Sequence, residues 1–182
     1  DYDPLVATAR AYGLRLIEDS CEALGAEYQG RKAGVFGDYG VFAFYPNKQI
    51  TTGEGGVLVT NRQDLAVMGK SLRNQGRDEG SGWLQHARLG CNYRLSDINC
   101  ALGIAQMQRI DELLQKRKKV KETYDALFEN LFKKGLLIPQ QIPAHSEVSP
   151  FVYVLRLAGH FGKEDREKLL ESLRGKGIGC SN

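Results

Sequence analysis

Two side chains have types and positions suited to covalent and proton chemistry: Lys48 and, earlier in the chain, Asp19. Lys48 follows an apolar run rich in aromatics, Val41-Phe42-Ala43-Phe44-Tyr45, which reads as a buried strand halted by Pro46. A glycine-rich turn, Thr52-Gly53-Glu54-Gly55-Gly56, comes after the lysine, and a second apolar run, Val57-Leu58-Val59-Thr60, resumes at once. The amine is thereby expected at the mouth of a sheet, on backbone that bends tightly. A lysine with its reference pKa of about 10.4 is a poor nucleophile, and partial burial beside apolar or cationic groups frees such an amine for Schiff-base chemistry. Asp19 stands just past the run Leu14-Arg15-Leu16-Ile17, at the carboxyl end of a strand, where α/β sheets bind ligands. The plainer alternatives are a solvated lysine and a turn-capping aspartate.

The elements that must position these two residues follow from the surrounding pattern. Asp3-Pro4 with Leu5, Val6, Ala9 and Tyr12 predicts a short helix capped by Asp3 and closed by Gly13, leading directly into the strand at Leu14–Ile17. A turn-rich segment, Gly30 to Gly40, delivers the chain to the lysine strand, and a short helix is expected over Asn61 to Gly69. The segment Ser71 to Cys91 has mixed polar character and ends in Leu89-Gly90-Cys91-Asn92-Tyr93-Arg94-Leu95, which reads as a surface loop in a monomer. From Ser96 a long helical pattern runs to about Phe132, as one or two helices with a kink near Ile110-Asp111. A strand over Phe151–Leu157 and a helix over Lys163–Arg174 then predict a smaller α/β unit.

Composition narrows the class. With 182 residues, 42% of them hydrophobic, the chain is long enough for a real core. Its 25 basic and 22 acidic residues leave a net charge of +3, which gives no footprint for nucleic acid, and the basic run Lys116-Arg117-Lys118-Lys119 reads as a solvated helix face. Cys21, Cys91, Cys100 and Cys180 have no C-x-x-C spacing, so reduced thiols in a cytoplasm are expected, with neither a zinc site nor a disulfide framework. No signal peptide or membrane-spanning run is apparent, and a start at Asp1 without methionine reads as an excerpt of a longer protein.

The motifs then converge on a family. Leu16-Ile17-Glu18-Asp19-Ser20-Cys21-Glu22-Ala23-Leu24-Gly25-Ala26, Gly37-Asp38-Tyr39-Gly40, Phe42-Ala43-Phe44-Tyr45-Pro46-Asn47-Lys48, Thr52-Gly53-Glu54-Gly55-Gly56, Arg73-Asn74-Gln75-Gly76-Arg77 and Gly90-Cys91-Asn92-Tyr93-Arg94-Leu95-Ser96-Asp97 occur in the family's order and spacing. Through them the chain resembles the DegT/DnrJ/StrS family of sugar aminotransferases, which depend on pyridoxal 5'-phosphate. The resemblance implies an α/β protein of the type I aminotransferase fold. Residues 1–111 would belong to the large cofactor-binding domain with its mixed sheet, and 112–182 to a linking helix and the start of a small C-terminal α/β domain.

The same resemblance implies roles. Lys48 would hold the cofactor as a Schiff base and, once released, carry a proton between substrate carbon and cofactor carbon. Asp19 would sit against the pyridine nitrogen and keep it protonated. Glu22 would lie beside the phenolic oxygen, where the family more often has glutamine or histidine; a carboxylate there needs a proton on one partner or a donor nearby. Asn92 would reach the phosphate of the cofactor in a neighbouring subunit, implying a homodimer with shared sites. Ala43 replaces a serine that contacts the phosphate in many members. A phosphate-gripping Gly-Thr turn and a ring-stacking aromatic residue would precede Asp1, and a segment with a substrate-side histidine would follow Asn182. The implied activity moves an amino group from an amino acid, glutamate above all, to the keto carbon of a nucleotide-diphosphate sugar, for amino sugars of cell-surface polysaccharide. The rivals are a dehydratase of the same fold, in which this lysine is lost, and a non-catalytic sensor.

Overall fold

A computed structural model describes residues 1–181; Asn182, and with it the end of the expected C-terminal part, lies outside the described residues. The elements are α1 (Tyr2–Ala11), β1 (Ile17–Asp19), β2 (Glu27–Tyr28), β3 (Arg31–Lys32), β4 (Tyr39–Ala43), β5 (Gly56–Val59), α2 (Gln63–Arg73), α3 (Asp97–Met107), α4 (Ile110–Lys133), β6 (Leu137–Pro139), β7 (Ser146–Glu147), β8 (Leu155–Leu157) and α5 (Lys163–Gly175). They form two compact units. One comprises Asp1–Lys119 with Ile142–Phe151, and the other Val120–Gln141 with the chain from Val152 onward, so α4 is shared.

The first unit is built on a mixed sheet of order β1-β4-β5. β1 runs parallel to β4, with Glu18 opposite Gly40 and Asp19 opposite Val41, while β5 returns antiparallel to β4. The first strand sits three residues later than the apolar run Leu14–Ile17 predicts. The reason lies in hydrogen bonding. Leu16 spends its N–H on Asp38 Oδ2 (3.0 Å) and its carbonyl on Asp38 N (2.7 Å), outside any strand pairing. Glu18, only 5% exposed, accepts from the backbone N–H groups of Gly34 (2.7 Å), Phe36 (2.5 Å) and Gly37 (2.6 Å). A buried carboxylate with three donors is satisfied, and it draws Ile17-Glu18-Asp19 into the sheet.

The first helix begins two residues earlier than expected, with Asp1 rather than Asp3 at its N-cap. Asp3 is engaged elsewhere: its Oδ2 accepts from Tyr28 Oη (3.0 Å) and Gln29 Nε2 (2.9 Å). Tyr2 stacks on Phe36 at 4.2 Å, and both meet Tyr28 edge-on. The β2–β3 hairpin, which the periodicity did not reveal in such short strands, turns at Gln29 and Gly30, both with positive φ. β7 adds antiparallel to β2. The long helical pattern divides into α3 and α4 just before Ile110, and Ser96 Oγ caps α3 by accepting from Asn99 N (3.3 Å).

In the second unit β6 pairs antiparallel with β8, and Tyr124 and Tyr153 stack at 4.8 Å. The strand expected over Phe151–Leu157 is paired only at Leu155–Leu157. Its partner strand ends at Pro139, which has no N–H to continue the ladder, and Tyr153 Oη instead donates to Asp125 Oδ1 (2.7 Å).

Candidate active site

Lys48 stands in the turn between β4 and β5, and that turn is held from several directions. Lys48 N donates to Tyr45 O (3.0 Å), Thr52 N and Thr51 Oγ1 donate to Phe44 O (3.0 and 3.1 Å), and Phe44 N donates to Gly55 O (2.8 Å). Gly55 adopts φ +144°, and a Cβ there would fall 2.7 Å from Thr52 Oγ1 and 2.9 Å from Leu95 Cδ1, so the turn requires glycine. Within the turn, Gln49, Ile50 and Thr52 are buried. Gln49 Nε2 donates to Glu22 O (2.7 Å), which fastens the lysine turn to the loop after β1.

These anchors bring three of the sequence-selected residues together. Lys48 Nζ donates to Glu22 Oε1 at 2.9 Å, with the lysine side chain 15% exposed and the glutamate 60% exposed. Asp19, the last residue of β1, faces solvent, and its Oδ1 accepts from Cys21 N (3.2 Å). Hydrogen bonding from Cys21, side chain first and then backbone, holds the Asp19 carboxyl below the usual carboxylate range, and the charge of Lys48 adds to the effect. Burial, with Asp19 second, pushes the Cys21 thiol up to about 11, so it stays protonated beside Val41 O at 3.7 Å. The arrangement is an ionised carboxylate at a strand end, with an amine and a second carboxylate beyond it.

Asn92 is not part of this cluster. Its side chain is exposed and shares no hydrogen bond with Asp19, Glu22 or Lys48 among the described residues; its backbone bridges to Asn74. Ala43 pairs with Gly56 and presents only a methyl group. Two residues that sequence reasoning passed over do belong here. The Phe151 ring lies 4.7 Å from Lys48 Nζ, and Arg117 donates from Nη2 to Lys48 O (3.1 Å) and from Nη1 to Phe151 O (3.2 Å). The basic run is therefore not wholly a solvated face: Arg117 is half-buried. Its spacing from Leu113 and Leu114 already puts it on the apolar stripe of α4, a signal present in the sequence.

The DegT/DnrJ/EryC1/StrS aminotransferase family model matches residues 1–182. This chain belongs to that family. The UDP-4-amino-4,6-dideoxy-N-acetyl-beta-L-altrosamine transaminase of Campylobacter jejuni is 38% identical over 98% of this chain and 47% of its own length. The GDP-perosamine synthase of Caulobacter vibrioides is also 38% identical, over 98% of this chain and 47% of its own. Among solved structures, Helicobacter pylori PseC, an aminotransferase involved in the biosynthesis of pseudoaminic acid, superposes with a TM-score of 0.87 at 32% identity, covering 97% of this chain and 47% of PseC. The chain thus spans about half the length of the relatives it matches. Within the DegT/DnrJ/EryC1/StrS fold, the donor set here fits an aromatic cofactor carrying both an aldehyde and a ring nitrogen. The carboxylate kept ionised at Asp19 matches a protonated ring nitrogen, and the little-exposed Lys48 amine matches an aldehyde.

Proposed function

We propose that the complete protein is a transaminase that moves an amino group from an amino acid, glutamate first, to the keto carbon of a nucleotide-diphosphate sugar. The single observation that carries this is the cluster already described: the Lys48 amine held in the β4–β5 turn against Glu22, its charge felt by the Asp19 carboxylate at the end of β1. The cofactor is pyridoxal 5'-phosphate, the one on which aminotransferases of this family depend. When bound, it supplies an aldehyde that accepts the amino group and a ring that draws off the electron pair left on the substrate carbon. Asp19 holds the proton on the ring nitrogen, an interaction between opposite charges that favours both ionised forms. Lys48 Nζ would carry a proton from the substrate carbon to the cofactor carbon, and its restricted turn keeps the amine within reach. Glu22 lies beside the cofactor's phenolic oxygen, and its contact with the Lys48 amine supports a donor facing that carboxylate.

The working form is a homodimer in which Asn92 reaches the cofactor phosphate of the neighbouring subunit. Support comes from α3, which buries no residue although Ile98 and Ile104 are 83% and 61% exposed, and from Leu89 and Tyr93 beside it at 95% and 78%. Residues 1–111 serve the cofactor-binding domain, and 112–182 the linking helix and small domain. The setting is cytoplasmic, which the four free cysteines support, and the product is an amino sugar for cell-surface polysaccharide. Among the described residues no helix is long and apolar enough to cross a membrane.

The test uses the complete protein with pyridoxal 5'-phosphate, L-glutamate and a panel of UDP- and GDP-linked keto sugars, reading 2-oxoglutarate and aminated sugar by mass spectrometry. Turnover with at least one sugar, abolished by Lys48→Ala, is expected. Turnover undiminished in Lys48→Ala, or none with any keto sugar, refutes the reading.

A further inference from the structure

We propose that Arg117 is a positioning residue for Lys48, acting through a guanidinium bridge that pins the lysine turn and fixes the Phe151 ring over the amine. The proposal rests on the reading of Lys48 as the cofactor-bearing amine. Its observations are geometric. Arg117 projects from α4, and its two terminal nitrogens go to different places: Nη2 to the Lys48 carbonyl at 3.1 Å and Nη1 to the Phe151 carbonyl at 3.2 Å. Those residues are far apart in sequence, and neither lies in a strand, so no ladder holds their carbonyls together. The rest of the basic run faces other partners: Lys116 pairs with Glu112 at 2.5 Å and Lys118 approaches Glu147 at 3.8 Å.

The consequence at the amine is specific. A lysine side chain has several free torsions, and holding it for reaction means removing that freedom. Here the backbone is fixed by Arg117, one side of the ammonium is covered by the Phe151 ring at 4.7 Å, and the charge is met by Glu22 at 2.9 Å. The guanidinium is suited to this task because its planar fork presents donors in fixed directions, so it joins two acceptors where a lysine ammonium offers a single point. Removing the fork releases the Phe151 segment, uncovers the amine and widens its range of orientations.

Two readouts on the complete protein test this. The first is acetylation of the cofactor-free protein, quantified lysine by lysine through peptide mass analysis. The second is the rate at which a borohydride-stable adduct of pyridoxal 5'-phosphate forms on Lys48. In Arg117→Ala and Arg117→Lys we expect acetylation of Lys48 to rise about fivefold while Lys70 and Lys168 keep their rates, and cofactor capture to fall about tenfold. Movement of the two rates in opposite directions marks lost positioning; a general loosening accelerates every lysine. Methylguanidinium should restore Arg117→Ala toward the wild type, and Phe151→Leu should reproduce the effect without being rescued. Unchanged Lys48 rates in both assays, or acceleration shared by all lysines, overturns the proposal. If the wild type itself forms no adduct on Lys48, the proposed function falls, and this inference falls with it.

Discussion

Replacing Gly40 by alanine should be among the most damaging single-methyl changes in the first unit. Gly40 lies in β4 between Glu18 of β1 and Val59 of β5. A Cβ there would stand 2.3 Å from Gly34 O and 2.5 Å from Gly34 Cα, and backbone atoms have no rotamer through which to withdraw. Gly34 is itself held, since its N–H donates to Glu18 Oε2 at 2.7 Å and its own Cβ direction is filled by the Phe42 ring at 2.8 Å. Overpacking costs about 1–3 kcal/mol, and breaking a hydrogen bond to a charged group adds about 1.5–3 kcal/mol, so a loss of about 3–5 kcal/mol is expected. Gly69 in α2 is the internal control: an added Cβ meets nothing within 4 Å, and Gly69→Ala should stabilise by about 0.5–1 kcal/mol. Urea unfolding followed by far-UV circular dichroism is the suitable assay, because Trp83 is 79% exposed and its fluorescence reports little of the core. With a slope of about 2 kcal/mol per molar urea, the Gly40→Ala midpoint should fall by about 2 M. A Gly40→Ala protein within about 0.5 kcal/mol of the wild type would refute the close approach of β4 to the Gly34 loop.

Two further outcomes follow from the same region. Glu18→Gln keeps the side chain's shape but sets an amide donor against backbone N–H groups; with a hydrogen bond to a charged group worth about 1.5–3 kcal/mol, a comparable loss is expected in the same urea assay. Asp38 is held below the usual carboxylate range, first by the Leu16 N–H and then by Arg15 and Arg62. A depressed folded-state pKa stabilises above the unfolded value of about 3.9 and is lost as pH falls through the folded one. The stability difference between wild type and Asp38→Asn should therefore be steady from pH 7 to about 5 and shrink below about 4, as read by thermal midpoints across that range. A difference independent of pH would contradict the pairing of Asp38.

What was legible in the sequence was the part governed by local pattern. A proline and glycines flanking an apolar run placed Lys48 in a strand-to-strand turn, and the structure has it there between β4 and β5. Asp19 is expected at the carboxyl end of a strand and does end one, but that strand lies three residues later than Leu14–Ile17, because apolarity marks the run while the pairing is decided by a buried glutamate. Periodicity treats Glu18 as polar and therefore outward; only three backbone donors from residues far along the chain make it an inward residue. The strand expected over Phe151–Leu157 is shortened to Leu155–Leu157 for a similar reason, since its length depends on a partner strand that stops at a proline. Arg117 and Phe151 were missed as site residues because their role exists only once α4 and the segment before Val152 are brought to the Lys48 turn.

The most direct test of the central claim is where the cofactor attaches. The complete protein is mixed with pyridoxal 5'-phosphate, reduced with borohydride, digested, and its peptides are mapped by mass. The account predicts one stoichiometric phosphopyridoxyl group, on Lys48. A reduced adduct spread over surface lysines, or fixed on any lysine other than Lys48, would contradict it.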